Sequence, residues 1–368
     1  MATEERKGSY RVRILALGAI AVVLLAAAGL RVYESAKLER ARRAEGARAQ
    51  AERERELLER GDSTLLAVER VRRAPNVVFV EPRPGLAPVL AFAPLDPARR
   101  AGPDGGRVLT AIEAERVYAA GGALVCLGAH AGDDGASQPG AFVLDDDLRI
   151  VRRFRLEGLP SRVRVSADGS RAAATFFVTG DSYAGRGFST RTYVLDLAGA
   201  EPPLDLERFT VEHAGRVVDA ADRNYWGVTF FAPPSRFLAT LRTGDERLLV
   251  ELDGAARTGR TLHAQVECPS LSPKQDRIAF KRLVQEPFER WAIATLDLAT
   301  KTERVLPGEE RSIDDQVEWL DDDHVLYAIG KPDEWGGATA DVWSAPVVGA
   351  GAPRVFLERA RSPCVVRP

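Results

Sequence analysis

The sequence predicts an all-β fold: a six-bladed β-propeller with terminal-strand closure, preceded by a transmembrane helix and a helical stalk. Three observations predict it. Paired hairpins recur at a near-constant interval, a sixth unit at the start is one strand short, and a lone strand is left over at the chain's end. At 368 residues the chain can hold such a ring and accessory segments. Its 51 Lys+Arg and 53 Asp+Glu give a net charge of −2. That balance excludes the concentrated basic surface a nucleic-acid binder needs. Cys126, Cys268 and Cys364 lie too far apart for a disulfide scaffold or a C-x-x-C metal site. The four histidines have no zinc-ligand spacing, so neither metal nor other cofactor is expected.

The first element is ILALGAIAVVLLAAAGL, Ile14–Leu30, which carries no charge. As a helix it spans about 25 Å, close to what a bilayer core requires. Val12, Val32 and Tyr33 extend it, and Arg13 and Arg31 can snorkel to the two interfaces. Ala26-Ala27-Ala28 offers a cleavage site, in which case the protein is secreted. The length of the run and the charge after it favour a retained signal-anchor over residues 14–33. Both flanks are basic, so the positive-inside rule does not choose an orientation. A cytoplasmic N-terminus (1–13) with the bulk outside is expected, because a short N-terminus is easily left behind. Residues 34–60 read as a charged helical stalk without a heptad, since Leu38 is followed by alanines until Leu57. Residues 61–75 read as a linker, in which Ser63–Arg73 is either a short helix or irregular.

From residue 76 to 368 the pattern changes to short β-branched and aromatic runs bounded by Gly, Pro and Asp. Inner hairpins begin at Arg116, Arg162, Gly227, Cys268 and Gln316, so successive starts lie 46, 65, 41 and 48 residues apart. Each is followed by an outer hairpin, such as TYVLDLAGAEPPLDL or AIATLDLATKTERVL. Four-stranded blades repeat at roughly 40–50 residues, so one unit carries an insertion. NVVFVEPR, VLAFAPL and GGRVLT supply three strands of a sixth unit, and SPCVVRP at Ser362–Pro368 supplies the fourth. Such pairing closes the ring and removes a sheet edge. A seven-bladed ring or a β-sandwich accounts less well for this arithmetic.

The turns SADGSR and LSPKQDRIAF, with the strands YVLDLAGA and TLDLATKTERVL, resemble those of TolB-like propeller proteins. GLPSRVRVSADGS, GFSTRTYVLDL, RNYWGVTF, VECPSLSP and DDQVEWLDDD are more specific. They resemble a bacterial group labelled TolB-like translocation proteins, over about Asn76 to Arg367. The resemblance implies a six-bladed ring in the cell envelope that binds a protein or peptide. The family's namesake has an α/β domain ahead of its ring, where this chain has the apolar run and stalk, so its role with a peptidoglycan-associated lipoprotein is not implied. The close group carries a cysteine where this chain has Ala114, which leaves Cys126 without its implied partner.

Chemistry-bearing motifs are few. G-x-S-x-G, the phosphate loop and H-E-x-x-H are absent from the sequence, so no catalytic residue is assigned. Asp145–Asp147, and Asp321–Asp323 with His324, sit between apolar strands and read as turns rather than metal sites. On the innermost strands one alternating set holds Arg116, Tyr118, Arg162, Arg164, Thr229, Ser270, Gln316 and Glu318. Arg116, Arg162, Arg164, Gln316 and Glu318 can line the central channel, or else pair across blades, as Arg164 with a carboxylate. The insertion Thr179–Arg191 offers Asp181, Tyr183, Arg186 and Arg191 as a contact site beside Asn224, Tyr225 and Trp226. Trp226 can equally belong to an interblade core.

The expected function is a membrane-anchored extracytoplasmic scaffold that binds a protein or peptide of the envelope. The alternative is a lyase or hydrolase with its site at the channel mouth. Such enzymes gather histidine and acidic groups there, and His130, His213, His263 and His324 all fall outside the inner-strand polar positions.

Overall fold

The computed structural model describes Arg31, Tyr33, Glu34, Lys37 and residues 61–83, 86–100, 106–131, 137–178, 189–285, 290–332, 338–349 and 351–367. The chain divides into two units, Met1–Glu56 and Leu57–Pro368. Within the first, the four described residues are helical. The expected span Ile14–Leu30, and the stalk except for Glu34 and Lys37, lie outside the described residues. Among those described, no helix is long and apolar enough to cross a membrane.

The second unit opens with a helix where a linker was expected: α1, Gly61–Arg72. Val68 and Val71, three apart and so on one face, are buried against Val78, Leu90 and Phe92. Arg72 in its last turn donates to the Asp146 carboxylate at 2.6 Å. Burial of that valine face is what makes a short helix stable here.

The strands follow in six blades. Blade 1 has β1 (Asn76–Arg83), β2 (Leu86–Pro94) and β3 (Val108–Glu113). Blade 2 has β4 (Arg116–Ala120), β5 (Ala123–Ala131), β6 (Ser137–Leu144) and β7 (Ile150–Arg155). Blade 3 has β8 (Leu159–Val165), β9 (Arg171–Val178), β10 (Ser189–Asp196) and β11 (Leu204–Asp205). A small hairpin comes next, β12 (Thr210–His213) and β13 (Arg216–Val217), and joins the outside of blade 4. Blade 4 itself has β14 (Asn224–Phe230), β15 (Arg236–Thr243), β16 (Glu246–Asp253) and β17 (Thr258–Ala264). Blade 5 has β18 (Glu267–Leu271), β19 (Arg277–Gln285), β20 (Arg290–Asp297) and β21 (Glu303–Val305). Blade 6 has β22 (Glu318–Trp319), β23 (His324–Pro332), β24 (Ala338–Pro346) and β25 (Arg354–Leu357). The last strand, β26 (Arg361–Val366), is the innermost strand of blade 1. It pairs antiparallel with β1 through Asn76↔Val366, Val77↔Val365 and Val78↔Cys364. The two ends of the ring are therefore zipped together as the leftover strand predicts.

The hydrophobic core is split into six clusters, one between each pair of neighbouring blades. Period-two alternation explains the division. Val77 and Phe79 of β1 pack towards Leu326 and Val342 of blade 6, whereas Val78 and Val80 pack towards Val117 and Leu124 of blade 2. A strand buried on both faces needs apolar side chains at every position, and that is why NVVFV reads as a continuous run.

The long third repeat has a second cause besides the 179–191 insertion. The β12–β13 hairpin occupies Thr210–Val217, and β12 runs parallel to β17, with Val211 opposite Gly259. Leu206, Phe209 and Val211 are fully buried with Phe230 and Phe237, which anchors the extension. Ala214 and Gly215, both at positive φ, make its two-residue turn.

Candidate functional site

The polar residues of the innermost strands form two tiers around the ring's axis. A backbone irregularity sets their spacing. β14, β18 and the β1–β26 pair each shift register near the start of the inner strand, and Gly227, Cys268 and Ser362 take left-handed φ values of 63°, 50° and 53° there. Gly227 is required, because a Cβ at that position lies 2.5 Å from the Cα of Cys268.

The lower tier closes the centre. Arg164 of blade 3 donates to Glu318 of blade 6 at 2.5 Å, to the Tyr118 hydroxyl at 2.8 Å and to the Ser270 hydroxyl at 3.1 Å. Its guanidinium also lies 4.5 Å from the centre of the Tyr118 ring. Tyr118 donates to Glu318 at 3.0 Å, and the Val365 N–H of the closing strand donates to the other Glu318 oxygen at 3.2 Å. Burial pushes the Tyr118 phenol well above its usual range, which keeps it a donor. Five of the six blades thus contribute to one buried hydrogen-bonded cluster, and Arg164 and Glu318 spend their charges on each other. Of the two readings of this polar set, the cross-blade pairing describes the lower tier.

The upper tier lies one step nearer the mouth. Arg116 donates to the Ser161 carbonyl at 2.6 Å and the Glu115 carbonyl at 2.9 Å. Arg162 reaches the Asp314 carboxylate at 3.3 Å. Gln316 donates its amide to the carbonyls of Val228 and Pro269, at 3.0 and 2.9 Å. Arg116, Arg162, Asp315, Gln316, Ser362 and Pro363 line a recess with room for about one water molecule. Burial, together with the like charges of Arg162 and Arg361, pulls the Arg116 guanidinium down to about 10. At the rim, Lys281 bonds Asp314 at 2.6 Å and lies 3.4 Å from Glu267, which Arg247 also meets at 2.6 Å. Both cations lie over Trp291, at 4.5 and 5.3 Å from its ring centre. Sequence reading missed Asp314, Lys281 and Glu267, since they come from a loop, a second strand and a bulge. No alternation pattern marks such positions.

Of the second set of candidates, Asn224, Tyr225 and Trp226 are interior. Asp181, Tyr183 and Arg186 lie outside the described residues. Arg191 is ion-paired with Glu207 at 2.7 Å. Asn224 accepts from the Thr190 N–H at 2.8 Å and donates to the Asp222 carbonyl at 3.0 Å, stitching blade 3 to blade 4. Tyr225 and Trp226 are 1% and 5% exposed, so these aromatic side chains are interior. Burial raises the Tyr225 phenol to about 12.

The acidic clusters are turns. The Asp145 carboxylate accepts from the Arg149 N–H at 2.7 Å, and the Asp321 carboxylate accepts from the Asp323 N–H at 2.8 Å. His213 bonds the Thr261 hydroxyl, His263 the Glu303 carboxylate and His324 the Asp321 carboxylate, all on outer strands and turns. Cys126, Cys268 and Cys364 are buried free thiols.

No family model matches the sequence, and no curated protein does. Among solved structures, TolB from Acinetobacter baumannii matches with a TM-score of 0.53 at 14% identity, over 79% of this chain and 66% of that one. The ring is a TolB-like six-bladed propeller. This chain spans just under two thirds of that protein's length. A chain of the nidogen/laminin complex matches with a TM-score of 0.51 at 12% identity, over 79% of this chain and 98% of its own. A putative TolB from Agrobacterium tumefaciens is 11% identical over 78% of this chain and 91% of that one, with a TM-score of 0.47. At such identities the TolB likeness is one of fold, and sites and partners have to be argued from this chain's own residues.

Proposed function

We propose that this protein is a scaffold of the bacterial cell envelope that docks a protein partner on the Arg116–Arg162 face of its ring. One observation carries the reading. The Arg164–Glu318 cluster occupies the centre of the ring, so the polar groups near the axis that can meet a partner lie at the mouth, around Arg116, Arg162 and Asp314. A face with this shallow recess and charged rim suits a macromolecular surface better than an enclosed substrate. The TolB-like fold supports the general class. The apolar run Ile14–Leu30 supports a single-pass tether, and the short segment 1–13 ahead of it supports a cytoplasmic N-terminus with the ring outside.

Two measurements test this. Protease added to intact spheroplasts is expected to degrade the ring; full protection until lysis overturns the orientation. A photo-crosslinker placed at the exposed Asp314 is expected to capture a protein that a crosslinker on the outer strand residue Arg153 does not. Equal capture from both places overturns the docking face.

A further inference from the structure

Blade 4 is wider than its neighbour. The β12–β13 hairpin makes it six strands across, against four in blade 5. Leu238 packs with Ile278 and Phe280 of blade 5, and the side chains in register with Leu238 share its face. Glu251, Arg260 and Glu212 continue that row outwards, strand by strand. Arg236, Asp253, Thr258 and Thr210 form the next row. These two rows line a groove of about 660 Å³, and its described lining residues all come from blade 4 and its hairpin. That volume falls within the range of small-molecule sites. The lining is held firmly. Glu251, 9% exposed, accepts from Arg236 at one oxygen and from Arg260 at the other, the latter at 2.9 Å. Arg236 also stacks 5.3 Å from the centre of the Phe231 ring.

We infer that this groove binds a neutral saccharide of about two or three rings, free or as a segment of a longer chain. The charges favour a neutral ligand. Glu251 with its two arginines leaves one positive charge, and Glu212, beside Arg260 in the register, offsets it. Asp253 spends one oxygen on the Ala255 and Ala256 N–H groups, both at 2.9 Å. An ion of either sign therefore meets attraction and repulsion together. Hydrogen-bonding capacity, by contrast, is left over. Among the described residues, the Glu212 carboxylate and the Thr210 and Thr258 hydroxyls have no hydrogen-bond partner, and each guanidinium keeps donors beyond its bonds to Glu251. Acceptors and donors so alternate at the spacing of neighbouring strands, about 4.8 Å. Sugar hydroxyls both donate and accept, and adjacent ones on a ring can bridge a carboxylate and a guanidinium at once. The groove presents a sheet face and not a free edge, so it offers an extended peptide no main-chain ladder. The Arg236 plane, braced by Phe231, adds a flat surface for a ring to lie on.

The test uses the full chain in phospholipid nanodiscs, with chitotriose, cellotriose and acetylated tri-glycine amide as ligands and sodium sulfate as a competitor. Saturation-transfer NMR on the ligand protons reads binding. At least one trisaccharide is expected to bind saturably, with an affinity that hardly changes as salt rises. Thr258→Trp, which fills the groove from an exposed position, and Glu212→Ala, also exposed, should each weaken it at least tenfold. Arg153→Gln on blade 2 should leave it intact. Failure of both trisaccharides to bind, equal binding of the tri-glycine probe, or unweakened binding in either groove variant overturns the inference. Displacement by sulfate makes the groove an anion site and also overturns it. Retention of the protein on chitin or cellulose beads assigns the ligand to a polymer, and trisaccharide binding without retention assigns it to a free oligosaccharide; either result supports the site.

Discussion

Arg164 and Glu318 are 154 residues apart in sequence and stand on opposite blades, yet they meet at 2.5 Å in the middle of the ring. The side chains are 7% and 8% exposed, so each charge depends on the other for compensation. Removal of one partner strands a buried charge. Glu318→Ala or Arg164→Ala is expected to lower the unfolding free energy by about 3–5 kcal/mol. The double change Arg164→Met with Glu318→Leu should recover most of that loss. Urea denaturation of the three variants checks the order, and a double variant no better than the singles contradicts the pairing.

Deletion of residues 361–368 removes β26 and exposes the hydrogen-bonding edge of β1. The expected outcome is accelerated amide exchange over Val77–Val80, with association visible by size-exclusion chromatography. Unchanged exchange there contradicts closure of the ring by this strand.

Acid should unfold the ring through carboxylates whose charged form the fold favours. Glu309 is the clearest. Burial works against its charge, but hydrogen bonds from Arg311 and from the Tyr327 hydroxyl at 2.5 Å hold it below the ordinary range. A folded-state value below the unfolded one contributes stability that is complete above the unfolded value, and this is lost as pH falls through the folded one. Asp196, lowered by the N–H groups of Ala198, Ala200 and Glu201 against the effect of burial, acts in the same direction. Thermal scans are therefore expected to be level from pH 8 to about 5 and to fall below about 4. Glu309→Gln should be less stable at neutral pH and should show a shallower acid limb.

Two adjacent glycines make a paired test. Gly121 has a φ of +55°, and a Cβ there lies 2.2 Å from the backbone N of Gly169 in the next blade. Gly122 has a φ of +82° with nothing within 4 Å of its notional Cβ. Gly122→Ala is expected to cost only the left-handed backbone penalty, about 1–2 kcal/mol. Gly121→Ala must also push two hairpins apart and should cost clearly more. Equal melting temperatures for the two variants contradict the close approach.

Much of the ring was legible because its signals are local. Short apolar runs such as NVVFV and turns such as SADGS follow from residues within one hairpin, and the terminal strand shows itself by having no neighbour in sequence. The burial of Tyr225 and Trp226 was less accessible: aromatic residues at a strand start look alike whether they face a partner or the next blade. Pairing of Arg164 with Glu318 depends on which blades face one another across the axis, a quantity that sequence separation does not encode. The Gly61–Arg72 helix was ambiguous because its two buried valines stabilise it only against the finished blades. The β12–β13 hairpin did leave a trace, in His213-Ala214-Gly215-Arg216, between alternating residues.

The position of β26 has a consequence for biosynthesis. Of the ring's strands it leaves the ribosome last, while the three strands waiting for it are the first to emerge. Blade 1 therefore stays incomplete until Arg361–Val366 has been made, and a chain stalled before Arg361 exposes a sticky β1 border to other nascent chains. Termination anywhere between blade 1 and Arg361 yields an open arc rather than a smaller circle, so quality control can recognise each such product by the same unpaired strand.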